Sequence, residues 1–146
     1  AGGAARGVLA PLLATKPAEL HIANRTAAKA KTLAALFNDL GSITYGGYED
    51  LLADKPYDVI INATTPAIGG EMPDLPEGLV DARTLVYDMT YATSDTAFML
   101  WGKSLGGTAS NGLGMLVEQA AESYLIWEGA RPKTRLVYPR LHQMLS

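Results

Sequence analysis

Apolar positions along the chain alternate between strand-length runs and stripes of helical spacing. A first apolar segment, residues 8–13, follows a glycine-rich start, and a strand is predicted over 20–23. Residues 26–40 then place Ala30, Leu33, Ala34 and Phe37 on one helical face, with Thr26 suited to cap the start and Gly41 to end it. A short strand over 42–45 and a short helix over 48–53, stopped before Pro56, come next. The clearest strand is 58–63, because the run Val59-Ile60-Ile61 suits a parallel strand covered on both faces. A second such strand covers 85–89. Between them Pro66, Pro73, Pro76, Gly69, Gly70 and Gly78 predict a long loop over 65–79. A helix over 96–105, a turn at Gly106-Gly107 and a short strand and loop ending at Gly112 lead into the strongest helical pattern, 113–127. There Leu113, Leu116, Val117, Ala120, Ala121 and Tyr124 form one stripe. Gly129 and Pro132 end it, and a further short helix is expected from Pro139. Alternating strands and helices at this length predict an open α/β sheet in a single domain, 1–146.

Composition narrows the classes. Twelve basic against fifteen acidic residues give a net charge of -3, which argues against a nucleic-acid surface. Any basic site must be local. With no cysteine, disulfide scaffolds and thiolate metal sites are excluded, and no metal is expected. No run approaches the ~18 apolar residues of a membrane span, so no membrane association is expected, and the lack of cysteine is compatible with the cytoplasmic setting expected. His21 and His142 lack catalytic partners in sequence and are left unassigned.

The start, Ala1-Gly2-Gly3-Ala4-Ala5, fits all but the first position of a G-x-G-x-x-A loop. Such loops bring a pyrophosphate onto the N-terminus of a helix, where unpaired N–H groups and the helix dipole favour an anion. The expected fold is therefore a Rossmann-like, doubly wound parallel sheet, lacking in this chain the central first strand that would precede the loop. On that reading the chain begins inside a longer protein. Pro11 falls within the expected first helix and removes one of its hydrogen bonds.

Roughly 20 residues past the glycines, an NAD site carries an acidic residue on the ribose. Here the strand is followed by Asn24-Arg25-Thr26, with Lys29 one turn further. Arg25 offers a planar fork of donors, Asn24 and Thr26 neutral hydrogen bonds, and Lys29 a second positive charge. Cations in a helix's first turn oppose its dipole, and a bound phosphate supplies the missing charge. This chemistry favours NADP over NAD.

Five segments together resemble shikimate dehydrogenases: AGGAARGVLAPLL, NRTAAKA, IINATT, YDMTY, and NGLGMLVEQAA with the following YLIWEG. The resemblance covers almost the whole chain and implies the NADP-binding portion of an enzyme that reversibly reduces 3-dehydroshikimate to shikimate in aromatic amino acid biosynthesis. It implies that Gly2, Gly3 and Ala4 face the pyrophosphate, and that Asn24, Arg25, Thr26 and Lys29 hold the 2′-phosphate. Asn62, Ala63 and Thr64 would line the ribose. Met89, Gly112 and Met115 would meet the nicotinamide, and Tyr91 and Gln119 the small-molecule substrate. Independently, Met115 and Gln119 stand at i and i+4, on one helical face.

Two positions depart from the family pattern. Asn111 stands where aspartate is usual, and Thr65-Pro66-Ala67 replaces a serine-led turn. No catalytic residue is assigned within the chain. The family's proton-transferring Lys–Asp pair belongs to an N-terminal substrate domain, towards which the helices of about 113–146 are expected to pack. Lys55 and Lys103, the nearest candidates, read as solvated charges. The chain alone is expected to bind NADP at best poorly and not to turn over. Two alternatives stay open: a quinate/shikimate dehydrogenase with relaxed coenzyme use, and a non-catalytic NADP-binding regulatory domain. The expected assembly is a monomer or homodimer.

Overall fold

A computed structural model describes residues 2–51, 54–64, 72–91 and 93–145, apart from the side chains of residues 142 and 145. The elements in chain order are α1 (Gly3–Ala14), β1 (His21–Ala23), α2 (Ala27–Ala35), β2 (Thr44–Gly46), β3 (Val59–Asn62), β4 (Leu85–Asp88), α3 (Ala97–Ser104), β5 (Thr108–Asn111), α4 (Leu113–Glu128) and α5 (Tyr138–Leu145). Single 3-10 turns occur at Glu77–Leu79 and Thr134–Leu136. Among the described residues, no helix is long and apolar enough to cross a membrane.

Every strand pairing is parallel, as expected of an α/β sheet with helical crossovers. The strands fall into two sheets, β1-β2 and β3-β4-β5, and no described ladder joins β1 to β3. In the first sheet Ile22 packs with Leu9 of α1 and with Ala30, Leu33 and Ala34 of α2. In the second, Val86, Phe98, Leu79 and Val80 form the buried centre, flanked by Ile60, Trp101 and Ala109. Phe98 and Trp101 stack with ring centroids 5.6 Å apart. Burying Val86 completely contributes about 1.5–3 kcal/mol.

Several sequence expectations need correction. The helix predicted over 26–40 ends at Ala35, and Leu36, Phe37 and Leu40 continue with N–H bonds to carbonyls three residues back. Asn38 and Asp39 in that stretch are turn formers that disfavour helix. The helix predicted over 48–53 is absent from residues 48–51, while residues 52 and 53 lie outside the described set. Its place is taken by a turn in which Gly47 N donates to Asp50 Oδ2 at 2.7 Å. The strand predicted over 42–45 is shifted to Thr44–Gly46. α1 continues through Pro11; Gly7, whose carbonyl loses a donor there, is exposed, so water can serve it. Of the predicted loop 65–79, residues 65–71 lie outside the described set, and Glu77–Leu79 forms a 3-10 turn.

Two buried features follow from close packing. A Cβ on Gly102 would run into the Val86 side chain, so α3 sits directly on β4 only because this position has none. Thr84, fully buried, donates to the Tyr57 carbonyl at 2.7 Å and accepts from Asp81 N at 3.0 Å. We expect Gly102→Ala to cost about 1–3 kcal/mol by overpacking. Unchanged thermal unfolding of that variant would contradict the contact.

His21 in β1 shares a 2.9 Å hydrogen bond with Thr44 Oγ1, and its buried Nε2 has no partner among the described residues. Burial lowers its pKa below the ordinary 6.5, against the opposing pull of Glu19 and Asp50. The unfolded chain therefore takes up this proton more readily than the folded one. The stability linked to neutral His21 is complete above 6.5 and is lost as the pH falls through the folded value. Chemical denaturation at a series of pH values from 7 downwards should show that loss in the wild type and a flatter profile in His21→Gln; parallel profiles would refute it.

Candidate functional site

Parallel register sets the site. It aligns Asn62 with Asp88 and Asp88 with Asn111, so each of the three strands ends in a polar residue on the same edge. Ligands sit at this carboxyl edge in open α/β sheets. Asp88 is almost fully buried and organises the edge. Its Oδ1 accepts from Thr90 N at 2.9 Å, and its Oδ2 accepts from Thr96 Oγ1 at 2.6 Å and Asn62 Nδ2 at 3.3 Å. Thr96 Oγ1 in turn accepts from Met99 N at 3.2 Å, capping α3. One carboxylate thus ties β3, the turn after β4 and the start of α3 together.

Asn62 holds the turn after β3. Its Oδ1 accepts from Thr64 N at 3.1 Å and Thr64 Oγ1 at 2.7 Å. Ala63 is half-buried and Thr64 exposed, while Thr65-Pro66-Ala67 lies outside the described residues. Met89, half-buried, donates from its backbone to the Asn62 carbonyl at 3.0 Å. Tyr91 is 59% exposed.

Gly112 is buried where two backbones meet. Its N–H donates to the Thr90 carbonyl at 3.0 Å, and a Cβ there would collide with the Met89 carbonyl. Only glycine permits that approach. Asn111 Oδ1 accepts from Leu113 N at 3.1 Å, so the amide standing where aspartate was expected still serves the start of α4. Met115 is half-buried in the first turn of α4, and Gln119 is exposed one turn on. Burial raises the pKa of the Tyr87 hydroxyl, opposed by a hydrogen bond with the Met115 backbone.

The second group of candidates lies at the starts of α1 and α2. Gly2 caps α1 in an extended conformation without a side-chain cap, and Gly3 and Ala4 are exposed in its first turn. A Cβ on Gly2 or Gly3 would meet nothing within 4 Å, so neither glycine is required by local packing. After β1, Asn24 N donates to the Gly46 carbonyl at 3.1 Å, and Asn24 Nδ2 donates to the Thr26 carbonyl at 3.0 Å. Thr26 is the N-cap residue of α2 by conformation, though its side chain makes no cap bond. Arg25 and Lys29 are exposed, and neither α1 nor α2 has an acidic residue in its first turn. Among the described residues, no ion pair involves Arg25 or Lys29.

The two lysines weighed as proton donors are committed elsewhere. Lys55 pairs with Glu19 and Lys103 with Asp95, each at 2.6 Å and exposed. Hydrogen bonding to Lys55 is also what holds the Glu19 carboxyl below its ordinary range. Sequence reasoning missed the link from Asp88 to Thr96, eight residues apart, although a polar residue closing each apolar strand was visible.

Comparison with known proteins adds the family. A match to the "Shikimate 5'-dehydrogenase C-terminal domain" covers residues 112–141. The shikimate dehydrogenase (NADP(+)) of Chromohalobacter salexigens is 50% identical over 145 residues, covering 99% of this chain and 53% of that protein. That of Aeromonas salmonicida is 52% identical over 147 residues, covering all of this chain and 53% of its relative. The chain is similar to shikimate dehydrogenases along nearly its whole length. It spans about half the length of these relatives and corresponds to their C-terminal part. A shikimate dehydrogenase solved in complex with NADP+ superposes with a TM-score of 0.77 at 28% identity, covering the whole chain and 53% of that protein. The Rossmann-like α/β class read from the sequence therefore holds.

Replacing Asp88 by Asn would set an N–H donor against Thr90 N in one orientation, or against Asn62 Nδ2 in the other. We expect a loss of about 1–3 kcal/mol from the buried mismatch. Equal denaturation midpoints for wild type and Asp88→Asn would show that the edge does not depend on this carboxylate.

Proposed function

We propose that this chain is the coenzyme-binding part of an NADP-dependent shikimate dehydrogenase, catalysing the reversible reduction of 3-dehydroshikimate to shikimate. The observation that carries the reading is the exposed positive charge of Arg25 and Lys29 at the start of α2, without an ion-pair partner among the described residues, together with the glycine start of α1. Two helix starts without acidic residues, one of them begun by exposed glycines, suit a ligand with a pyrophosphate and a separate phosphate. The names of the relatives support the same assignment.

In this proposal Gly2, Gly3 and Ala4 hold the pyrophosphate through their backbone. Arg25 and Lys29 hold the 2′-phosphate, with Asn24 and Thr26 bordering it. Asn62, Ala63 and Thr64 border the ribose, and Met89, Gly112 and Met115 form the nicotinamide wall. Gly112 suits this because its neighbours leave no room for a side chain. The bound coenzyme supplies the hydride. Tyr91 and Gln119, both exposed, orient the substrate. Reducing a ketone also needs a proton donor at the new hydroxyl oxygen. With Lys55 and Lys103 held in surface pairs, we assign that donor to a part of the full-length protein outside this chain, against which the face of α4 and α5 packs.

Steady-state kinetics of the full-length protein with 3-dehydroshikimate and either coenzyme tests the reading. NADPH should be preferred, and Arg25→Gln should raise the NADPH KM about tenfold while leaving that for NADH within about twofold. Preference for NADH in the wild type would overturn the assignment.

A further inference from the structure

A groove of about 160 Å³ runs between α1 and α2, lined by Arg6, Lys29, Thr32, Leu33 and Leu36. Arg6 lies one turn into α1, and its N–H donates to the Gly2 carbonyl at 3.1 Å. Lys29 lies in the first turn of α2, its N–H donating to the Thr26 carbonyl at 2.9 Å. Two cations from separate helices thus face one space. Among the described residues neither has an ion-pair partner. The remaining walls do not neutralise them: the Thr32 hydroxyl donates to the Ala28 carbonyl at 2.9 Å, and Leu33 and Leu36 are apolar.

Like charges converging on an apolar-walled groove repel each other, and Lys29 sits in a first turn whose dipole disfavours it. An anion between them reverses each of these terms. We propose that Arg6 is a further specificity residue for the 2′-phosphate, closing the groove opposite Lys29. The inference rests on the coenzyme assignment above and deepens it. Arg6 and Lys29 grip the phosphate from two helices, while Arg25 approaches from the loop between β1 and α2. A guanidinium suits the position, since its fork can bind two phosphate oxygens at once.

The test measures dissociation constants of NADPH and NADH by fluorescence for the full-length protein and its Arg6→Gln, Arg6→Lys, Lys29→Gln and Arg25→Gln variants. Arg6→Gln should weaken NADPH about tenfold and NADH less than twofold, with Arg6→Lys recovering part of the loss. The NADPH constant of the wild type should also depend more steeply on salt than that of Arg6→Gln. A purely structural role would weaken both coenzymes alike and would overturn the proposal. Arg6→Gln without effect, while Lys29→Gln and Arg25→Gln weaken NADPH, removes Arg6 from the site and leaves the coenzyme assignment standing. If none of the variants alters the ratio of the two constants, the assignment itself falls.

Discussion

Parallel pairing of β3, β4 and β5 is the constraint on which the site depends. Parallel strands leave all their carboxyl ends on one side, so the turns after Asn62, Asp88 and Asn111 are forced to share an edge. Apolar strands that end together in polar residues create a local problem, because side chains at that depth must find partners. Asp88 resolves it by accepting from a strand end, a turn and a helix cap at once. The candidate nicotinamide wall then follows from backbone geometry. Met89 is held to Asn62, and Gly112 is held to Thr90 against the Met89 carbonyl.

Much of this was legible in the chain because local and global preferences agree. The run Val59-Ile60-Ile61 and the stripe through Leu113, Val117 and Ala121 could be placed from periodicity alone, and Thr96 and Gly129 mark helix ends by familiar chemistry. Gly129 takes a left-handed φ of 73°, as helix-ending glycines commonly do. The errors fall where short-range bonds compete with a helix. Between Leu36 and Leu40 the backbone tightens to three-residue spacing, and Leu51 N bonds back only three residues, to the Tyr48 carbonyl. Periodicity carries no information about either event.

The site was legible in a different way. Its glycine and cation positions could be read as chemistry, since each was an odd choice for its local structure. Contacts that join distant residues could not. Asp88 meets Asn62 across 26 positions, and the grouping of Arg6 with Lys29 exists only once α1 and α2 lie side by side. Spacing along a chain says nothing about which helices become neighbours, so Arg6 drew no notice beside the more obvious Arg25.

The two parts of the site also differ in what holds them. Around Asp88 and Gly112 the groups are buried and satisfied by each other, and the protein alone accounts for their arrangement. Around Arg6, Arg25 and Lys29 it does not. A cation in a first turn forfeits about 0.3–1 kcal/mol against the helix dipole, and none of the described acidic residues offsets it. Elsewhere the same chain pairs its charges readily: Arg131 spans Glu118 and Glu122 on one face of α4, and Lys55 reaches Glu19. A sequence capable of such pairing, yet leaving its positive charge uncompensated at two adjacent helix starts, places that charge where folding gains nothing from it. A bound anion would compensate it, and a phosphate is the group that both helix dipoles and all three side chains would favour together.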